Sequence, residues 1–136
     1  MMIRMGHVAG VLAAWVFAAP VLADMPGGVA PEYLARDWQL RAIDGQAFAA
    51  RASLDLSTQG RVTGQAPCNR FSAVLTGDLP AFRPGPIVAT RMACADLAAE
   101  AAFLAALAAM TGAEVDEAGA LVLSGPGGRR MVFTRP

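Results

Sequence analysis

The sequence predicts a mainly β (α+β) protein: an antiparallel sheet of roughly eight or nine short strands, curled towards a barrel, with one helix near residues 95–111. Three observations carry this. Apolar and polar residues alternate in runs too short for helices. Glycine-centred turn signals punctuate those runs at regular spacing. A single alanine- and leucine-rich segment switches from the two-residue period to a helical one.

Taken in order, Arg36 to Ile43 places Trp38, Leu40 and Ala42 on one face, and Asp44-Gly45 makes a turn. The clearest hairpin follows. Ala52, Leu54 and Leu56 alternate with polar residues, Thr58-Gln59-Gly60 turns the chain, and Val62, Gly64 and Ala66 return. Gly60 suits the left-handed position that closes a three-residue loop. Phe71 to Leu75 and Leu79 to Phe82 flank Thr76-Gly77-Asp78 as a second hairpin. Pro84-Gly85-Pro86 then breaks the chain before a short strand from Ile87 to Ala89. Beyond the helix, Ala113 to Asp116, Leu121 to Leu123 and Arg130 to Phe133 are separated by Glu117-Ala118-Gly119 and Gly125-Pro126-Gly127-Gly128.

In the helix, Asp96 is placed to cap the start and Gly112 to end it in the left-handed conformation. Leu97, Ala101, Leu104, Leu107 and Ala108 form the stripe expected to face the sheet, with Phe103 and Met110 at its edge. Glu100 lies on that stripe between Leu97 and Leu104, where a carboxylate must be paired or reach water. Arg70 or Arg91 is its expected partner.

Residues 1–23 carry Arg4 and His7 and then run apolar from Val8 to Ala23, ending Pro20-Val21-Leu22-Ala23. Small residues at Val21 and Ala23 fit signal-peptidase cleavage. The rival, an uncleaved anchor, meets the difficulty that this run is interrupted by Pro20 and falls short of the about 20 residues a bilayer needs. Cleaving 23 of the 136 residues leaves 113, enough for one domain over 36–136 behind a flexible leader at 24–35. The signal segment also inflates the 55% hydrophobic content. A periplasmic or secreted monomer is expected, touching membrane only through the cleaved segment.

The chain after Ala23 holds ten arginines, no lysine, no histidine and eleven acids. Without a basic excess it is a poor match for nucleic acid. Without histidine it assembles neither a Ser-His-Asp triad nor a Cys-His pair. No phosphate-binding loop follows a strand. Catalytic residues, metal and cofactor are accordingly expected to be none.

Two cysteines remain, Cys68 and Cys94. In an oxidising compartment such a pair is more often a disulfide than a redox or metal site. A free thiol pair usually has Cys-x-x-Cys spacing, unlike these. Zinc would lack ligands.

The segments Gly64-Gln65-Ala66-Pro67-Cys68-Asn69-Arg70-Phe71-Ser72, Thr90-Arg91-Met92-Ala93-Cys94 and Glu100-Ala101-Ala102-Phe103-Leu104 resemble the hallmark segments of the META domain, or HslJ-like, family. Trp38-Gln39-Leu40, Leu121-Val122-Leu123 and Met131-Val132-Phe133 fall in the family's order. The resemblance implies a small lipocalin-like antiparallel barrel with one helix. It links the chain to heat-shock-inducible envelope proteins and to tolerance of antibiotics such as novobiocin, with no established catalysis. Several exported relatives carry a lipid-attachment cysteine that this chain lacks, which implies a soluble form.

The resemblance singles out Cys68, Asn69, Arg70, Phe71, Thr90, Arg91, Met92 and Cys94. Two accounts of the polar ones stand at this point. Asn69, Arg70 and Arg91 either pin irregular segments near the cysteines or form an exposed anion-binding patch. The expected function is binding of a protein partner, or carriage of a small ligand in the barrel interior; an uncharacterised enzyme is the third class.

Overall fold

The computed structural model describes residues 10, 11, 13–16 and 37–136. The expected signal peptide at 1–23 and leader at 24–35 therefore lie outside the described residues, except for 10, 11 and 13–16, which have no regular secondary structure. From Trp38 the chain forms β1 (Trp38–Ile43), β2 (Gln46–Ala47), β3 (Ser53–Asp55), β4 (Arg61–Gln65), β5 (Arg70–Thr76), β6 (Arg83–Pro84), β7 (Val88–Ala89), α1 (Leu97–Ala108), β8 (Gly112–Val115), β9 (Leu121–Gly125) and β10 (Arg129–Thr134).

All ladders are antiparallel, in the order β6-β5-β4-β3-β1-β10-β9-β8, with β2 added to β1 and β7 to β5. The two ends of this path meet at one point. Ala81 bridges Gly112, Phe82 N–H donates to Thr111 O at 2.9 Å, and Ala113 N–H donates to Pro80 O at 2.8 Å. The mainly antiparallel sheet with one helix is as the sequence predicts. Closure is looser than a barrel's, because no ladder seals β6 to β8.

Local chemistry explains most boundaries. Asp44 and Gly45 both take positive φ, 50° and 80°, the pairing a two-residue hairpin demands, and Ile43 pairs with Gln46 across it. The Asp44 carboxylate then accepts from Arg130 N–H at 3.0 Å and from Arg129 Nη2 at 3.0 Å, tying this turn to β10. Those two bonds hold its carboxyl below the ordinary value of 3.8. In β1, Trp38 and Leu40 are buried, but the register shifts between Leu40 and Ala42, so Ala42 leaves the core face the alternation assigned it.

Gly64 has a different job. It lies opposite Phe71, and a Cβ there would collide with Ser53 O and come within 2.8 Å of the Phe71 ring. The bare backbone lets that ring lie flat across the sheet and meet Phe103 edge-on at 5.4 Å.

Two boundary expectations need correction. Leu79 to Phe82 is not a hairpin limb: the chain loops through Leu79-Pro80, and pairing with β5 resumes only at Arg83. Pro84 is tolerated because β6 is an edge strand. Gly112 does not cap the helix. The helix finishes at Ala108, and Gly112 opens β8, where a Cβ would press on Ser124 Oγ at 2.8 Å. Asp96 does occupy the N-cap, without a side-chain hydrogen bond to the helix.

The buried side of α1 is also rotated from the predicted stripe. Glu100, Phe103, Ala106 and Leu107 are buried, whereas Leu97, Ala101 and Ala108 are exposed. Seven of the twelve residues in LAAEAAFLAALA are alanine, so the apolar pattern scarcely distinguishes one face from another. The bulkiest residue decides: Phe103 enters the core against Phe71 and Phe48, and the rest follow. Around it Trp38, Leu54, Met110, Leu121, Leu123, Met131 and Phe133 are fully buried.

Candidate functional site

The family-like residues converge where the β4–β5 turn, the segment leading to the helix, and α1 meet. Ala66 N–H bonds Asn69 O at 2.8 Å, folding Pro67 and Cys68 into a tight turn. Cys68 is disulfide-bonded to Cys94, their Cα atoms 5.8 Å apart. This covalent tie fastens the turn to the chain just before α1 and is consistent with an oxidising extracellular compartment.

Asn69 is the centre of the arrangement. Its Nδ2 donates to Met92 O at 3.1 Å and to Glu100 Oε2 at 2.7 Å. Its Oδ1 accepts from Met92 N–H at 2.6 Å and from Thr90 Oγ1 at 3.0 Å. Both amide protons and both acceptor positions are therefore used, which fixes the orientation of the amide. Glu100 Oε1 accepts from Cys68 N–H at 3.1 Å and Asn69 N–H at 2.7 Å. Three N–H donors thus meet one buried carboxylate, offsetting the cost of removing its charge from water.

Glu100 is therefore paired, but with amide donors rather than with Arg70 or Arg91 as expected. Both arginines are exposed, and among the described residues neither guanidinium makes a hydrogen bond. Of Asn69, Arg70 and Arg91, the side chain that pins the irregular segments is that of Asn69, together with Glu100. Only main-chain groups of Arg70 take part: its N–H meets Thr90 Oγ1 at 3.2 Å and its carbonyl accepts from Thr90 N–H at 3.0 Å. Phe71 is buried. With both amide protons engaged, Asn69 keeps no side-chain donor for an anion.

Outside this brace lies a groove of about 490 Å³, open to solvent, between the 87–93 segment and α1. Ile87, Ala89, Met92, Leu97 and Leu104 supply its apolar walls, Arg91 its charge, and Asn69 with Glu100 its floor. Met92 is 67% exposed and Leu97 45%. Sequence reasoning singled out Met92 and Arg91, but it gave Leu97 and Leu104 to the core and read Ile87 to Ala89 only as a strand. The signal for the groove was the helix itself, which carries more apolar surface than one face can bury.

Among the described residues, the void inside the sheet between Leu54, Val62, Leu107 and Leu123 is about 10 Å³, scarcely one water molecule. Carriage of a ligand in the interior is therefore not supported. Among the described residues there is no group of three or more His, Cys, Asp or Glu that could hold a metal. No helix among them is long and apolar enough to cross a membrane.

No curated protein matches the chain in sequence. A protein from Burkholderia xenovorans, solved by NMR, is similar: 28% identical, with a TM-score of 0.59, over 88% of this chain and 95% of that one. The META domain sequence profile matches residues 32–136, starting just upstream of the boundary expected at 36, and spans the sheet, the helix and the Asn69–Glu100 brace. The chain therefore belongs to the META domain family.

Proposed function

We propose that this protein is exported, performs no catalysis, and acts in the cell envelope by binding a partner protein at its surface, contributing to tolerance of envelope stress or of antibiotics such as novobiocin. The observation that carries the reading is the groove at 87–93, held open by a disulfide and a saturated polar brace above a filled interior. A rigid scaffold presenting exposed apolar side chains on an irregular segment is what recognition requires. Export is supported by the pairing of Cys68 with Cys94 and by the apolar run before Asp24. The non-catalytic reading is supported by Glu100 and Asn69, the buried polar pair, whose hydrogen-bonding capacity is taken up largely by the fold itself.

The test is complementation. A strain lacking the gene is challenged with novobiocin and supplied with the wild-type chain, a chain lacking residues 2–23, and a Met92→Glu, Leu97→Glu double variant. Restoration by the wild type alone, at equal protein levels, supports the reading. Restoration by the form lacking residues 2–23 defeats export, and full activity of the double variant defeats the groove.

A further inference from the structure

Within the 87–93 segment, Val88–Ala89 is an edge strand on β5, and the irregular chain after it stays bonded to Arg70 and Asn69. Thr90 N–H bonds Arg70 O, Met92 N–H bonds Asn69 Oδ1, and Val88 stands opposite Ser72. These alternate residues turn their main-chain groups inward, towards β5. By the two-residue alternation of an extended chain, Ala89, Arg91 and Ala93 turn theirs outward. The ladder of β7 runs only to β5, and among the described residues no backbone hydrogen bond reaches these three positions from the groove side. From Ala89 to Ala93 the edge measures about 13 Å at roughly 3.3 Å per residue.

Across the groove α1 presents Leu97 and Leu104, while Ile87 and Ala89 line the near wall. An open edge facing an apolar helix side is suited to an extended chain. Main-chain bonds supply affinity, and alternate side chains enter the groove. Charge narrows the occupant. Arg91 lines the groove, exposed and without an ion-pair partner among the described residues, and Arg70 is exposed where Thr90 joins β5. Glu100, the acid that lines the groove, has its carboxylate engaged by three N–H donors.

The geometry points to strand addition: the Ala89–Ala93 edge takes an extended peptide segment that alternates apolar with acidic residues. The apolar side chains sit against Leu97 and Leu104, and the acids meet Arg91 and Arg70. This rests on the binding reading above and gives it a partner chemistry. Arg91 also selects, because a cationic strand on this edge would face an unpaired guanidinium.

The test uses the oxidised, nitrogen-15-labelled protein and capped eight-residue peptides alternating leucine or valine with glutamate. Their counterparts carry lysine in place of glutamate, or N-methyl groups on alternate amides, and phosphatidylglycerol vesicles form a separate arm. The glutamate peptides are expected to shift the amide signals of Ala89, Arg91 and Ala93 and to slow their exchange. N-methylation is expected to weaken binding by about tenfold or more, since it removes main-chain donors. Arg91→Glu is expected to move the preference to the lysine peptides.

Strand addition is overturned if no peptide binds below about 1 mM, if N-methylation has no effect, or if only vesicles perturb these residues. Loss of tolerance in the cell by the groove double variant, with no peptide bound, sinks strand addition and leaves surface binding standing. Peptide binding with no phenotype in the cell supports strand addition and removes the envelope role.

Discussion

Asn69 Nδ2 donates to Glu100 Oε2 at 2.7 Å where the two residues are only 3% and 6% exposed. One bond thereby joins the β4–β5 turn to the first turn of α1. The same amide grips the main chain at Met92, so the groove segment inherits its position from a buried contact rather than from its own packing.

Removing the carboxylate strands its donors. Glu100→Ala leaves Cys68 N–H, Asn69 N–H and one Asn69 amide proton unpaired in a buried site, and is expected to cost about 3 kcal/mol or more. Glu100→Gln keeps one acceptor oxygen and is expected to cost less. Urea unfolding of the two variants checks this, and equal stability of Glu100→Ala and wild type would remove the brace.

Reducing the bridge, or replacing Cys68 and Cys94 by serine, is expected to lower stability by about 3.5 kcal/mol on the chain-entropy account, given a separation of 26 residues. Denaturation with and without a thiol-free reductant measures it. A thiol titration of the untreated, unfolded protein is expected to find none.

Gly64→Ala is expected to be among the most damaging small substitutions in the sheet. The added methyl runs into Ser53 O, which is main chain, as well as into the Phe71 ring. A loss of about 3 kcal/mol or more in equilibrium unfolding is the expected outcome.

Asp44 gives a pH signature. Its folded pKa is depressed by Arg130 N–H and by Arg129, so its contribution is present above the ordinary value of 3.8 and is lost as pH falls through the lower, folded value. Asp44→Asn keeps a residue that tolerates the positive φ. The variant is expected to melt below wild type at pH 7, with the gap shrinking once pH drops under 3.8. A gap that widens in acid would contradict the assignment.

The sheet was readable because its signals are local. The Ala52–Leu56 alternation, Gly60 with φ 73° and the Asp44-Gly45 turn each act within a few residues. The cysteine pairing was readable from compartment and count. The helix face was not, because alanine gives every side of α1 similar apolarity. Nor was the partner of Glu100. Charge complementarity pointed to Arg70 and Arg91, but the winning donors include main-chain N–H groups at Cys68 and Asn69, which no side-chain pattern records. The groove escaped for the same reason as the helix face, since Leu97 and Leu104 look like core residues until Phe103 has taken that place.

Amide hydrogen exchange along 88–93 tests most directly whether the Asn69–Glu100 brace sets an open edge. Slow exchange at Val88, Thr90 and Met92 alternating with fast exchange at Ala89, Arg91 and Ala93 is expected, with Met92 protection lost in Asn69→Ala. Uniform exchange across these six amides, or a Met92 amide still protected without Asn69, would contradict the account.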